Sequence, residues 1–391
     1  MVGALLGALC STPAMAALSD TIHPFVSLTY SHDDNLLRLP DETPGFTGPR
    51  DDNLTQSLAG LTLERPFGRQ ILTAQAKVSR VTFSHYDQLN YNGKDFQGAL
   101  EWHIANHLSG HLGGNYSQTL TPFTDFHTSD RNLRTERREY FDGNWVFRPS
   151  WQVHGSASTD KFTYELVAQR YNNRTEDIGE AGIDYLASSG SRIGLVVRHI
   201  DGSYPTHRLI GSIVTDNGYT QNEIKANIYW VLTGVTQVQL LAGWARREHS
   251  FYNNRDSSGA NGRVTVQWMP LGRVHLTTMA WREFRAVESD LINNSLNKGA
   301  SVSGTWDITA KIRADAQYRH EKRDFNQATG VVLPFDANDT TRNASAGLTY
   351  IPQSFLQLNA SLYHEKRSGS SLISTGSYRA NGASLSLTAQ F

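Results

Sequence analysis

The chain ends in the stretch GASLSLTAQF, from Gly382 to Phe391, in which small or apolar residues alternate with polar ones. One face of this stretch carries Ala383, Leu385, Leu387, Ala389 and Phe391, and the other carries Ser384, Ser386, Thr388 and Gln390. A period of two predicts a β-strand with one apolar and one polar face. Soluble domains usually end in a polar, frayed tail, so a terminal apolar strand needs a different explanation.

The same alternation recurs along the chain. It is clear in SFLQLNASLYHEKR (354–367), in AKIRADAQYRHEKR (310–323) and in NEIKANIYW (222–230). The apolar faces are rich in alanine, whereas the opposite faces carry full charges. The mean hydropathy of −0.44 does not exclude a membrane barrel, because only half of the residues of such a strand face lipid.

The connections between these strands fall into two alternating classes. The short ones are 65–69, 105–109, 148–151, 188–192, 232–235, 269–273, 307–311 and 351–354. The long polar ones include 32–54, 120–134, 201–218, 325–338 and 368–376. Short turns at one end and long loops at the other are typical of outer-membrane barrels, whereas a soluble sandwich has no reason to sort its loops by length.

The pattern predicts an all-β fold, a transmembrane antiparallel up-and-down β-barrel of roughly 18 strands in the bacterial outer membrane. Aromatic residues just before the short turns are expected to form a girdle at the membrane interface. Its predicted members are Trp102, Trp145, Trp230, Trp268, Trp306 and Tyr350. Pairing of the last strand with the first would close the barrel, and Phe391 would serve as the assembly signal read by the barrel-insertion machinery.

The first 16 residues resemble a secretory signal peptide. An apolar run from Val2 to Cys10 leads to Ala14-Met15-Ala16, a small-x-small pattern that predicts cleavage after Ala16, although the usual basic start is missing. Residues 17–391 would then form a single barrel domain. That domain lacks cysteine, which excludes disulfides and thiolate metal sites, and the net charge of −1 gives no indication of a nucleic-acid partner.

If the alanine-rich faces contact lipid, the charged faces line the interior. The predicted lumen-lining residues are Glu223, Lys225, Tyr229, Arg263, Arg313, Asp315, Arg319, Glu321, Arg323 and Tyr363. Such charges either brace the wall by pairing with one another or form a polar path for a hydrophilic solute. Lumen-facing rings, with Tyr140 and Trp281 as further candidates, could offer sugars an apolar surface.

No motif in the sequence predicts enzymatic chemistry. The 14 histidines show no metal-ligand spacing, and no GxSxG motif, P-loop or dinucleotide fingerprint is present. We therefore expect no catalytic residues, no metal and no cofactor.

The stretch IHPFVSLTYSHDDNLLRLPDE (22–42) resembles the opening of EpsL-type outer-membrane proteins linked to exosortase and exopolysaccharide gene clusters. The likeness lies in a first strand followed by an acidic Asp33-Asp34-Asn35 turn and the Leu36–Pro40 segment. The resemblance implies a barrel that serves export of a secreted polysaccharide, and it transfers no site residues.

Three functions follow from these observations. The leading hypothesis is a passive outer-membrane conduit for exopolysaccharide, which would have the polysaccharide chain, the lipid bilayer and periplasmic export components as partners. The first alternative is a general or substrate-selective diffusion porin, which a folded-in constriction loop would favour. The second is a barrel enzyme or structural protein that acts on surface polysaccharide.

Overall fold

The computed structural model describes residues 21–391 except 42, 125, 211–212, 252–255, 287–293, 326–336 and 371–375. The expected signal peptide therefore lies outside the described residues. The strands are β1 (Ile22–Asp33), β2 (Asp52–Phe67), β3 (Gln70–Phe83), β4 (Tyr91–Ile104), β5 (Leu108–Leu120), β6 (Leu133–Arg148), β7 (Trp151–Tyr164), β8 (Arg174–Leu186), β9 (Arg192–Ser203), β10 (Arg208–Ile210), β11 (Ile213–Thr215), β12 (Tyr219–Thr233), β13 (Thr236–His249), β14 (Ser257–Leu271), β15 (Val274–Ala286), β16 (Asn294–Asp307), β17 (Ile312–Phe325), β18 (Asn338–Gln353), β19 (Leu356–Ser368) and β20 (Tyr378–Gln390).

Eighteen of these strands form one closed antiparallel sheet, which confirms the predicted barrel. Each strand pairs with its neighbours in the chain, and β9 pairs with β12 because β10 and β11 form a separate small hairpin. The seam joins β1 to β20 over nine residue pairs, from Phe25 with Gln390 to Asp33 with Gly382. Closure satisfies the backbone polar groups of the two edge strands, as a sheet in lipid requires.

Side chains alternate between the interior and the exterior along each strand. In β20, Leu385 and Leu387 are exposed on the outer surface, whereas Ser384 and Ser386 lie inside. Ser384 pairs by hydrogen bond with Ser361 of β19 on the same inner face. The exposed apolar residues therefore form a continuous belt around the barrel rather than a core.

The two ends of the barrel differ as the loop lengths predict. Both termini lie at the end with short turns, where the backbone N–H of Phe391 donates to the carbonyl of Pro24 at 2.8 Å. All six residues of the predicted girdle lie near this end on the outer surface. Trp145, Trp230 and Trp306 are each more than half exposed, as membrane-interface aromatics are.

The opposite end, with the long loops, holds the one apolar cluster found among the described residues. Leu36, Leu37 and Leu39 of the β1–β2 loop pack against residues of β3 and of the following loop, namely Val81, Phe83, Tyr86 and Leu89. Asp52, which is fully buried, accepts hydrogen bonds from the backbone N–H groups of Ser84, His85 and Tyr86. These contacts fold the first two long loops inward over one side of the barrel mouth.

Within the described residues, no helix has both the length and the apolar character needed to cross a bilayer.

Candidate pore and its constriction

The barrel interior contains a cavity of about 780 Å³ in the half nearer the long loops. Its wall is made by residues of β6–β9 and β12–β20, on the side of the barrel away from the apolar cluster. On β12 the alternation aims Tyr219, Gln221, Glu223 and Lys225 inside, because Ile224, Ala226 and Trp230 occupy the lipid-facing positions. The site is thus a polar passage with a charged wall.

A loop between β5 and β6, residues 121–132, reaches across this passage. Its neck is closed by a backbone hydrogen bond from Thr121 to the carbonyl of Asn132 at 2.8 Å. Pro122, Thr124 and Phe126 line the cavity together with strands from the far side. We call residues 121–132 the constriction loop.

Contacts with distant strands hold the constriction loop in place. The buried Arg367 of β19 donates a hydrogen bond to the carbonyl of Thr124, although the two residues are 243 positions apart in the chain. His127 donates to the carbonyl of Leu37 at 3.0 Å, and its ring lies 6.2 Å from the ring of Tyr378 on β20. Since β19 and β20 do not neighbour β5 or β6, these contacts require the loop to lie inside the barrel mouth.

Cations outnumber carboxylates on the cavity wall. Ten cationic side chains line it, namely Arg134, Arg174, Arg198, Lys225, Arg247, Arg263, Arg285, Arg319, Arg323 and Arg367. Eight carboxylates of the described residues oppose them, the lining residues Glu176, Glu223, Glu283, Glu321 and Glu365 and the adjacent Glu136, Glu180 and Asp339. The passage therefore has a net positive wall, which attracts anions.

Most of these charges are tied into ion pairs that keep the side chains on the wall. Arg263 binds Glu283 through two hydrogen bonds of 3.0 and 2.7 Å, and Arg319 lies 2.6 Å from Glu321. Lys225 contacts Glu223 at 2.5 Å. Fixed, mutually paired charges give a rigid polar surface and not a set of mobile side chains.

Arg247 differs from the other wall cations. Its guanidinium is 3% exposed, stacks over the ring of Tyr219 at 4.0 Å and donates from Nε to Gln221 at 2.7 Å. Among the described residues no carboxylate pairs with it, and its Nη1 has no hydrogen-bond partner. A buried cation without a carboxylate partner adds uncompensated positive charge to this part of the cavity wall.

Aromatic rings on the inner wall lie over glycines of the neighbouring strands. At five described glycines of the inner face an added Cβ would stand within 3 Å of ring atoms of a Phe, Tyr or Trp side chain: Gly60 with Phe25, Gly113 with Tyr140, Gly202 with Tyr219, Gly299 with Trp281 and Gly382 with Tyr363. The missing Cβ lets each ring lie close to the sheet, so the rings line the bore without filling it. Three of the rings predicted to face inward, Tyr140, Trp281 and Tyr363, lie on the inner wall in this way.

The structure separates the ten predicted lumen residues by height. Glu223, Lys225, Arg263, Arg319, Glu321 and Arg323 line the cavity. Arg313, Asp315 and Tyr229 lie on the inner wall nearer the short-turn end, where Arg313 pairs with Asp307 at 2.6 Å. Tyr363 lies at the long-loop end, where its hydroxyl bonds to Asp33 and Arg38.

Sequence reasoning missed two parts of the site. Arg247 could have been found, since Trp244 and Arg246 on the outer face of β13 leave Ala245 and Arg247 for the inner face. The inward fold of the constriction loop could not have been predicted, because it depends on Arg367 and Tyr378, which are more than 200 residues away in the chain. Among the described residues, no group of three or more His, Cys, Asp or Glu side chains is arranged to hold a metal ion.

The sequence and fold were compared with known proteins. A family model described as "Putative beta-barrel porin 2" matches residues 220–391. The fold is similar to that of OccK5 (OpdH) from Pseudomonas aeruginosa, with a TM-score of 0.50 and 10% identity, covering 95% of this chain and 98% of that one. OccK2 (OpdF) from the same organism gives a TM-score of 0.50 and 9% identity over 95% and 97% of the two chains. No curated protein matches the sequence.

These likenesses agree with the apolar belt, the girdle and the sorting of the loops. The long loops then face the exterior of the cell and the short turns face the periplasm. The protein is a porin-like β-barrel of the bacterial outer membrane, in contact with the lipid bilayer.

Proposed function

We propose that the protein is a substrate-selective diffusion porin that admits small hydrophilic anions. The observation that carries this proposal is the constriction loop, which Arg367 and Tyr378 hold across the charged half of the bore. A loop folded into the lumen narrows the path of a solute, which favours the passage of small molecules. This favours the porin alternative of the sequence analysis over the leading hypothesis of a wide conduit.

The substrate class follows from the charges of the wall. Ten cations surround the cavity, and among the described residues no carboxylate pairs with Arg247. A carboxylate or phosphate group passing this point would be attracted by the net positive charge of the wall, whereas a neutral solute would not. The ion pairs elsewhere on the wall, such as Arg263 with Glu283, limit how tightly an anion is held and so allow it to leave.

Liposome swelling tests this proposal directly. Proteoliposomes that contain the purified barrel should swell faster in sodium gluconate than in isotonic glucose, because the two solutes are similar in size and differ in charge. Arg247→Gln should reduce the gluconate rate severalfold and leave the glucose rate unchanged, since it removes a charge and keeps a polar side chain. The matched control is Arg137→Gln, which removes a cation that is 61% exposed on the lipid-facing side.

Equal rates for gluconate and glucose in the wild type would contradict the anion preference. If Arg137→Gln reduced the gluconate rate as much as Arg247→Gln does, the rate would depend on the charge of the whole molecule and not on the lining of the bore.

Exit of exopolysaccharide is the second candidate, and the resemblance of residues 22–42 supports it. A polysaccharide chain needs a continuous wide bore, so this function requires the constriction loop to move aside during export. Loss of polysaccharide secretion on deletion of the gene, restored by the wild type but not by a barrel with its loop cross-linked to β19, would support export. Unchanged polysaccharide secretion after deletion of the gene would contradict the export function.

A further inference from the structure

The lipid-facing surface of β15–β20 carries a row of cations at the long-loop end. These residues are Arg282, Lys298, Lys322, Arg342, Lys366 and Arg379, one on each strand. Each shares its face with residues of the apolar belt: Arg342 alternates with Ala344, Ala346 and Leu348, of which Leu348 is 48% exposed. We call these six residues the cationic row, and they lie outside the bore.

The register places like charges directly opposite one another. Lys298 pairs with Lys322 across β16 and β17, Arg342 with Lys366 across β18 and β19, and Lys366 with Arg379 across β19 and β20. Opposed residues in an antiparallel sheet have their Cβ atoms about 5 Å apart, so like charges there repel. An anion outside the protein that contacts several of these cations at once would relieve this repulsion.

Among the described residues, carboxylates pair with Lys298, Lys322 and Arg379 of the cationic row. Asp324 lies 2.8 Å from Lys298 and 3.3 Å from Lys322, and Asp41 lies 2.7 Å from Arg379. Between them, Arg342 and Lys366 are exposed and pair with no carboxylate among the described residues. The centre of the row is therefore the part most open to an external anion.

Two outward-facing cations elsewhere at this end pair with carboxylates of their own strand. Arg137 pairs with Glu139 on β6, and Arg246 pairs with Glu248 at 2.5 Å on β13. The cationic row differs in that it places one cation on each of six successive strands.

The height of the cationic row matches the headgroups of the outer leaflet. Arg342 and the girdle residue Tyr350 are on one face of β18, eight positions apart, which is about 27 Å along the strand. With the strand tilted, this separation is comparable to the apolar band of about 25 Å that outer-membrane barrels present to lipid. Below the row many lipid-facing positions are alanine, with exposed larger side chains such as Val302, Tyr318 and Leu362 among them. These alanines are Ala280, Ala300, Ala316, Ala344, Ala346, Ala360 and Ala383.

We propose that the cationic row binds a phosphorylated glycolipid of the outer leaflet, with the lipid's phosphate groups between Arg342 and Lys366 and its acyl chains against the alanine-rich surface below. Several phosphates on one headgroup match a row of cations better than the single charge of an ordinary phospholipid does. The site is independent of the pore, because none of its residues lines the cavity.

Native mass spectrometry of the full barrel in detergent with EDTA tests this assignment. The probes are bisphosphorylated lipid A, its monophosphorylated form and phosphatidylethanolamine, with EDTA present so that divalent cations cannot bridge the groups. The wild type should bind them in that order of affinity. Arg342→Gln combined with Lys366→Gln should weaken binding of bisphosphorylated lipid A about tenfold or more, since each basic residue near a lipid surface adds favourable energy.

The matched control combines Lys161→Gln with Arg246→Gln, which removes two outward-facing cations from β7 and β13. This control should bind lipid A as the wild type does, and both double variants should keep wild-type single-channel conductance, which shows that they are folded. Equal binding of lipid A and phosphatidylethanolamine, or equal loss in both double variants, would overturn the proposal. Complete displacement of lipid A by excess inorganic phosphate would also overturn it, because the row would then bind free phosphate and not the lipid.

Discussion

Arg38 shows how one side chain can hold a long loop of the barrel mouth. Its backbone is left-handed, with φ at 55°, which is uncommon for a residue other than glycine. Its guanidinium compensates by contacting Asp33 at 2.9 and 2.8 Å, Tyr363 at 3.3 Å and Glu365 at 3.7 Å. Burial alone would lower the Arg38 pKa, but Asp33, Tyr363 and Glu365 outweigh it and raise the pKa above its ordinary value.

Replacement of Arg38 should therefore loosen the β1–β2 loop. We expect Arg38→Ala to lower the free energy of local opening at residues 34–40 by about 3 kcal/mol, because it leaves the buried carboxylate of Asp33 without its partner. Hydrogen exchange of the folded barrel in detergent measures this quantity.

The control is Arg379→Ala, since Arg379 also pairs with an aspartate of the same loop, Asp41, but both side chains are more than half exposed. This variant should change the opening free energy by less than about 1 kcal/mol. Similar effects of the two substitutions would contradict the role given to the buried network.

At the scale of elements, pairing of β1 with β20 closes the barrel, and Phe391 directly follows β20. The ring of Phe391 is 70% exposed, so it contributes little packing within the protein. We expect Phe391→Ala to lower the amount of folded barrel in the outer membrane severalfold, because the barrel-insertion machinery would lose its recognition residue. The stability of the barrel that does fold should stay within about 0.5 kcal/mol of the wild type, as for other surface substitutions.

Heat-dependent electrophoretic mobility of isolated outer membranes measures the folded fraction. Phe355→Ala is the matched control, because Phe355 is another exposed phenylalanine at the same end, 47% exposed in the β18–β19 turn. Normal assembly of Phe391→Ala would contradict the expected role of the terminal residue.

The strands were predictable from the sequence because the alternation of apolar and polar residues within each strand defines its two faces. Neighbouring residues, such as Ser384 and Leu385 or Arg313 and Ala314, point to opposite sides of the sheet independently of distant parts of the chain. The number of strands follows from the number of loops between them. The constriction loop was not predictable in the same way, since its position depends on side chains of β19 and β20 that meet it only after the barrel closes. Six of the ten predicted lumen residues line the cavity, whereas no residue of the constriction loop is among the predicted ones.

At the scale of the whole molecule, the loops divide the barrel mouth into two parts. The apolar cluster of Leu36, Leu37 and Leu89 fills one side, and the constriction loop borders the charged cavity on the other. A solute thus meets the ten wall cations before it reaches the periplasmic half of the bore. The narrowing of the path and the proposed preference for anions arise from the same assembly of loops and strands.

Single-channel recording in planar bilayers under a potassium chloride gradient tests the central claim most directly. The wild type should open a small, anion-selective pore, and shortening the constriction loop between Pro122 and Asp130 should raise its conductance while weakening its anion selectivity. Shortening residues 205–216, a long loop whose described residues do not line the cavity, should change neither. A wild-type pore without anion preference, or one whose conductance is unchanged when the constriction loop is shortened, would contradict this account.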